Sequence, residues 1–190
     1  MKFYRPLPLD KELKISPNAL LISKTDSEGN ILYTNNNFIK FSAYTNEELK
    51  DAPHSLLRHP DMPRVIYFLL WEELKLGNNV TLLVKNLAKT GEYYWLHNEF
   101  VVTKNDLMYH ATYSATGEVA SKKAIVQINR LYKTLLKIEK IENIAASLFY
   151  LEKYLQERNV TLQEYMSNIL KPQTVIESFF TKIRNTLVAA

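Results

Sequence analysis

The sequence predicts an α+β fold: a five-stranded antiparallel sheet with short helices on one face, followed by a helical extension. Three observations carry this. Two strand-like runs come first, several short helical segments follow, and three more strand-like runs close the first part, an order that gathers the helices on one side of a single sheet. All four glycines (Gly29, Gly77, Gly91, Gly117) fall in the first 117 residues, each expected at a turn or helix end. Beyond Gly117 the apolar residues recur at spacings of three and four, the period of helices.

Taken in order, residues 1–18 form an N-terminal segment. Residues 19–24 are a β-compatible apolar run, the DSEGN sequence at 26–30 is a turn, and Ile31, Leu32 and Tyr33 begin the second strand of a hairpin. Asn35, Asn36 and Asn37 open a short helix carrying Phe38, Ile39 and Phe41. TNEE at 45–48 is a capping box, a hydroxyl followed three residues later by a carboxylate. Next comes LRHPDMP at 57–63. Its first proline restricts His59 to extended or turn geometry, and its second fixes φ where a helix can begin. Asp61 is the expected N-cap of that helix, and Arg58 beside a helix N-terminus suggests a seat for an anionic ligand group. The helix runs from about residue 62 to 76, closed by Gly77. It is apolar on most sides (Val65, Ile66, Phe68, Leu69, Leu70, Trp71, Leu74), which predicts deep burial. Strands over 79–87, 92–103 and 107–115 complete the domain, joined at AKTG (88–91) and at Asn105-Asp106.

The boundary falls near 117–120. In the extension (118–190), Ile125, Ile128, Tyr132, Leu135 and Ile138 form one seam, and Ile144, Leu148, Leu151 and Leu155 a second. TLQE at 161–164 is another capping box, and a last helix follows Pro172. The first seam is narrow, which suggests a homodimer through the helix after Gly117.

Of the 190 residues, 46% are hydrophobic and 12% aromatic, ample for a packed core. There is no cysteine, which excludes disulfides, zinc–thiolate and iron–sulfur sites and flavin–cysteinyl photochemistry. The start has no apolar signal-peptide core, and no run approaches the roughly 20 apolar residues of a membrane span; the expectation is a soluble, cytoplasmic protein. The net charge of +4 comes from basic residues spread along the chain, read as solvated helix faces rather than a nucleic-acid surface. There is no phosphate-binding glycine loop, HExxH or nucleophile elbow, so nothing points to an enzyme.

The segments TDSEGNILYTNNNF, FSAYTNEEL, PHSLLRHPDMP and VKNLAKTGEYYW, with Trp71 and LKLG between them, resemble the PAS domain of bacterial energy-taxis (aerotaxis) redox sensors, from about residue 19 to 117. INRLYKTLLKIE is similar to the tail of short members of that family. The resemblance implies noncovalent binding of FAD and signalling to a membrane-anchored chemoreceptor, with Asn35, Arg58, His59, Asp61, Trp71 and Asn86 as FAD-binding positions. The chemistry is suitable. Asn35 and Asn86 can donate to and accept from a flavin edge, Arg58 can pair with pyrophosphate, and Trp71 offers a flat wall. Five of the six have a plainer role open to them: a cap for Asn35 and Asp61, a salt bridge for Arg58, a structural hydrogen bond for His59, core for Trp71. The chain departs from the family at Val80, where a tryptophan is usual, at Glu99, where the family often has asparagine, and at Tyr113, in place of arginine; all three are expected to face the pocket. Haem ligated by His59 or His54 is the alternative cofactor, and a cofactor-free interaction module the third reading.

Overall fold

A computed structural model describes residues 5–16, 18–105 and 108–170; for residues 104, 105, 108–116, 118, 119 and 170 it describes the backbone alone. The strands are β1 (Leu21–Thr25), β2 (Ile31–Thr34), β3 (Val80–Leu87), β4 (Tyr93–Asn105) and β5 (Met108–Val119), and they form one antiparallel sheet in the order β2-β1-β5-β4-β3. The expected hairpin is present. Asp26 turns it, its Oδ1 accepting from the backbone N–H of Glu28 (2.9 Å) and Asn30 (2.8 Å), the local competition that makes aspartate a turn residue.

The helices of the first part are α1 (Asn36–Ser42), α2 (Asn46–Leu49) and α3 (Arg64–Leu76), with a single 3-10 turn at His54–Leu57. The capping box of α2 forms as expected: Thr45 Oγ1 accepts from Glu48 N–H, and Glu48 returns a carboxylate oxygen to Thr45 N–H. The start of α3 departs from expectation. Pro63, not Asp61, occupies the cap position, and it carries no side-chain acceptor. The acceptor comes instead from far along the chain, where both carboxylate oxygens of Glu139 take the N–H groups of Arg64 and Val65, each at 2.9 Å. The helix entrance expected to hold a ligand anion therefore holds a carboxylate of the protein itself. The burial of α3 is also narrower than expected. Val65, Ile66, Leu70 and Leu74 are buried, while Phe68 is 46% exposed.

The extension forms α4 (Lys122–Ile141), α5 (Ile144–Gln156) and α6 (Leu162–Leu170); the helix expected after Pro172 lies outside the described residues. Alternation along a strand sends successive side chains to opposite faces. Val84 and Asn86 of β3, with Asn98 and Phe100 of β4, face α3. Trp95 faces the other way and stacks on Tyr132 of α4 at 6.3 Å and 21°. Of the seam expected to dimerise, Ile128, Tyr132 and Leu135 are buried within the chain, together with Ala124 and Leu131 beside them, while Ile125 and Ile138 are half-buried.

β3 is an edge strand, and its free edge is covered. Tyr132 Oη donates to Leu83 O (2.8 Å), Thr81 N–H donates to Gln163 of α6 (3.1 Å), and His59 N–H donates to Lys85 O (3.1 Å). An uncovered edge invites pairing with another chain, so the extension and the RHPDMP turn together close the side of the sheet.

Candidate functional site

A cleft of about 300 Å³ lies between α3 and the sheet, at the small end of ligand sites. One wall is Tyr67, Leu70, Trp71 and Leu74 of α3. The floor is Ser23 and Thr25 of β1, Val84 and Asn86 of β3, and Asn98 and Phe100 of β4; the rim is Glu28, Gly29, His54 and Arg58. Gly29 has φ +87°, and a Cβ there would stand 3.0 Å from the Trp71 ring. The turn thus needs glycine both for its backbone and for the close approach of the indole.

Of the six residues expected to hold a ligand, the structure brings Arg58, Trp71 and Asn86 to this cleft. Arg58 lays its guanidinium on the Tyr67 ring, 3.7 Å from the centroid. Its Nε is buried with no hydrogen-bond partner among the described residues. Asn86 is buried, pairs with Tyr94 across the sheet, and bridges through its backbone to Arg58.

The other three are elsewhere. Asn35 caps α1: its Oδ1 accepts from Phe38 N–H (2.9 Å) and Ile22 N–H (3.1 Å), and its Nδ2 donates to Leu20 O (2.9 Å). That occupies both acceptor sites and one N–H of the amide. His59 is buried inside its own turn, Nδ1 accepting from Asp61 N–H at 3.0 Å and its ring edge-on to Tyr93. Burial, then the Lys85 charge, push its pKa down to about 4, so the ring is neutral at pH 7. Asp61 faces solvent and pairs with Lys85 Nζ at 2.7 Å. Burial would raise its pKa, but the hydrogen bond and charge of Lys85 outweigh that and hold the carboxyl below its usual value. These two residues build the turn that presents Arg58.

Asn98 is the residue the sequence reading missed. It is 4% exposed, lines the cleft, and its Oδ1 has no partner among the described residues. Glu99, expected to face the pocket, lies on the opposite face and is exposed. Successive strand residues point to opposite faces, so it is Asn98, one position before Glu99, that lines the cleft. Gly117 makes room for it: β5 pairs Gly117 with Asn98, and a Cβ at Gly117 would come within 2.4 Å of Asn98 Oδ1. Val80 pairs with Phe100 and is buried. Tyr113 pairs through its backbone with Thr25 and Val102; its side chain lies outside the described residues.

His54, one of the two histidines considered for haem, does line the cleft, with Nε2 3.0 Å from Ser23 Oγ. Burial, then the Arg58 charge, bring its pKa down to about 4. A metal at Nε2 would have to displace that contact. No group of three or more histidine, aspartate or glutamate side chains suited to a metal ion occurs among the described residues.

Solved photoreceptor domains share this arrangement of sheet and helices. The light-state LOV domain of the blue-light photoreceptor Aureochrome1 superposes with a TM-score of 0.50 at 15% identity, covering 63% of this chain and 90% of that one. Its dark state gives 0.50 at 14% identity, covering 63% and 86%. The domain has the PAS fold. A PAS domain from Colwellia psychrerythraea aligns at 18% identity with a TM-score of 0.49, over 54% of this chain and 87% of that one. In sequence, the chain that carries this PAS domain is 31% identical over 130 residues, 68% of its length, to the Aerotaxis receptor of Escherichia coli (strain K12). It spans about a quarter (26%) of that protein's length. No protein-family model matches the chain, and no helix among the described residues is long and apolar enough to cross a membrane.

Proposed function

We propose that this PAS domain is a cytoplasmic sensor of redox or energy state that binds FAD noncovalently and signals to a membrane-anchored chemoreceptor. The observation that carries the reading is the unpaired amide oxygen of Asn98, buried on the floor of a cleft that also presents Asn86, Trp71 and Arg58. A buried polar atom without a partner is costly, and a ligand that hydrogen-bonds it removes that cost. The similarity to the Aerotaxis receptor supports the placement in taxis.

The residues fit a flavin. Asn86 and Asn98 carry amides that both donate and accept, Trp71 is a flat apolar wall, and Arg58 offers a fixed cation for a phosphate. A cleft of this size suits the ring system rather than a whole dinucleotide. Bound flavin supplies reversible electron transfer accompanied by a change in its hydrogen-bonding edge. The protein's part is to register that change. Asn98 can reverse the sense of its hydrogen bond by turning its amide, and on the same strand Trp95 faces away from the cleft onto Tyr132 of α4. Any partner has to bind the two states differently for the signal to pass.

The test is an absorption spectrum of freshly purified protein, with FAD added back if it is pale. Flavin bands that survive gel filtration are the expected result. A Soret band would establish haem instead, and a colourless protein that takes up no FAD would overturn the reading.

A further inference from the structure

The outer face of α4 is a cationic stripe. Lys122, Arg130, Lys133, Lys137 and Lys140, with Val126 between the first two, follow one another at steps of three and four residues once Val126 is included, so they share one side of the helix. All five cations are exposed, and none forms an ion pair within 4 Å among the described residues. The stripe runs about 27 Å along the axis at 1.5 Å per residue. The helix has one carboxylate, Glu139, and it is turned to the first turn of α3; the C-cap residue Glu142 forms no ion pair with the stripe among the described residues. Lys133, Lys137 and Lys140 also line a concavity of about 370 Å³ with Asn129, Leu136, Ile141 and Asp61. Asp61 is already paired with Lys85.

We propose that this face docks an acidic helical segment of a partner protein, with carboxylates at three- and four-residue spacing opposite Lys133, Lys137 and Lys140. Such a spacing on a partner helix matches the lysines one for one, and the concavity receives side-chain carboxylates. An anionic membrane is a poorer match. A helix that lies on lipid sinks its apolar face into it, and here Ile128, Leu131, Tyr132 and Leu135 are buried in the domain. Single-stranded nucleic acid is poorer still, since the stripe exposes no aromatic platform. The inference rests on the reading of the domain as a sensor that signals through another protein, but not on which cofactor it holds.

The experiment uses the full chain and a fluorescent helical peptide with glutamate at positions i, i+4 and i+7, measured by anisotropy at about 0.01 M and about 0.15 M ionic strength. Binding is expected, with K133Q/K137Q/K140Q about tenfold weaker. K14Q/K50Q/K153Q, which removes the same charge from exposed sites elsewhere, keeps the parent affinity. The absorption spectrum and Tm of each variant are recorded alongside, so that failure of the stripe is distinguishable from failure of the cofactor reading. Equal affinity of the parent and the first variant overturns the proposal. So does tighter binding to phosphatidylglycerol vesicles or a DNA duplex than to the peptide.

Discussion

Asn98 stands on β4 with its carbonyl oxygen buried and unpaired, in a gap that Gly117 leaves open. Replacing a buried orphan by an apolar group of similar shape is close to neutral for folding. Asn98→Leu is therefore expected to leave Tm within a few degrees while lowering FAD retention at least tenfold, read as the flavin-to-protein absorbance ratio; unchanged retention would remove Asn98 from the site. The two neutral histidines make a second residue-scale prediction. His54 and His59 have folded pKa values of about 4, below the usual 6.5. Between those values the unfolded chain binds more protons than the folded one, so stability is fully present above pH 6.5 and falls as pH drops towards 4. A thermal-melt series over that window checks it, and a flat Tm from pH 7 to 4 would contradict it. Arg58 and Asn86 are legible as pocket residues because an amide in an apolar strand and a cation beside a rigid turn have few other reasons to be there; Trp71 is legible only through the family resemblance, since an indole at helical spacing reads equally as core. Asn98 was not, because a strand whose two faces are both partly buried gives no clean alternation. Without its partner strands, nothing in the local sequence separates Asn98 from Glu99.

At the scale of elements, the start of α3 shows where local reading stops. PDMP contains a residue suited to capping, and the cap rules are local. The structure instead turns Asp61 to Lys85 and supplies the acceptor from Glu139. By contrast, the boxes at Thr45 and Thr161 form as expected, since both partners lie within one turn. Glu139→Ala removes two hydrogen bonds at a helix N-terminus and is expected to cost about 1 kcal/mol, which lowers Tm by about 2–4 °C in a chain of this size. Glu139→Gln, which keeps one acceptor oxygen, should lose less. If the alanine variant melts with the parent, the carboxylate contributes nothing to α3.

For the whole molecule, the extension is part of the fold's closure rather than an appendage. It covers Trp95 on the face away from the cleft and bonds the open edge of β3 through Tyr132 and Gln163. A chain ending at Ala120 would present that edge and that indole to solvent, and it is expected to self-associate on gel filtration, whereas the full chain does not do so by this route. A monomeric, well-folded truncation would show the extension to be dispensable. Helix periodicity revealed that the second part needed something to pack on. It gave no means to choose between its own sheet and a second copy, because an apolar seam looks the same for either.

The two bonds from Glu139 to α3 also set a condition on energy flow. The first turn of α3, which carries the wall of the cleft, and the far end of α4 share one carboxylate, so their equilibria are coupled by up to the free energy of those two bonds. A ligand that shifts the first turn of α3 changes the hold on α4, and linkage makes the relation run both ways. Whatever grips α4 from outside is then also an effector of the cleft: its presence would be measurable as a changed affinity for the small molecule bound there.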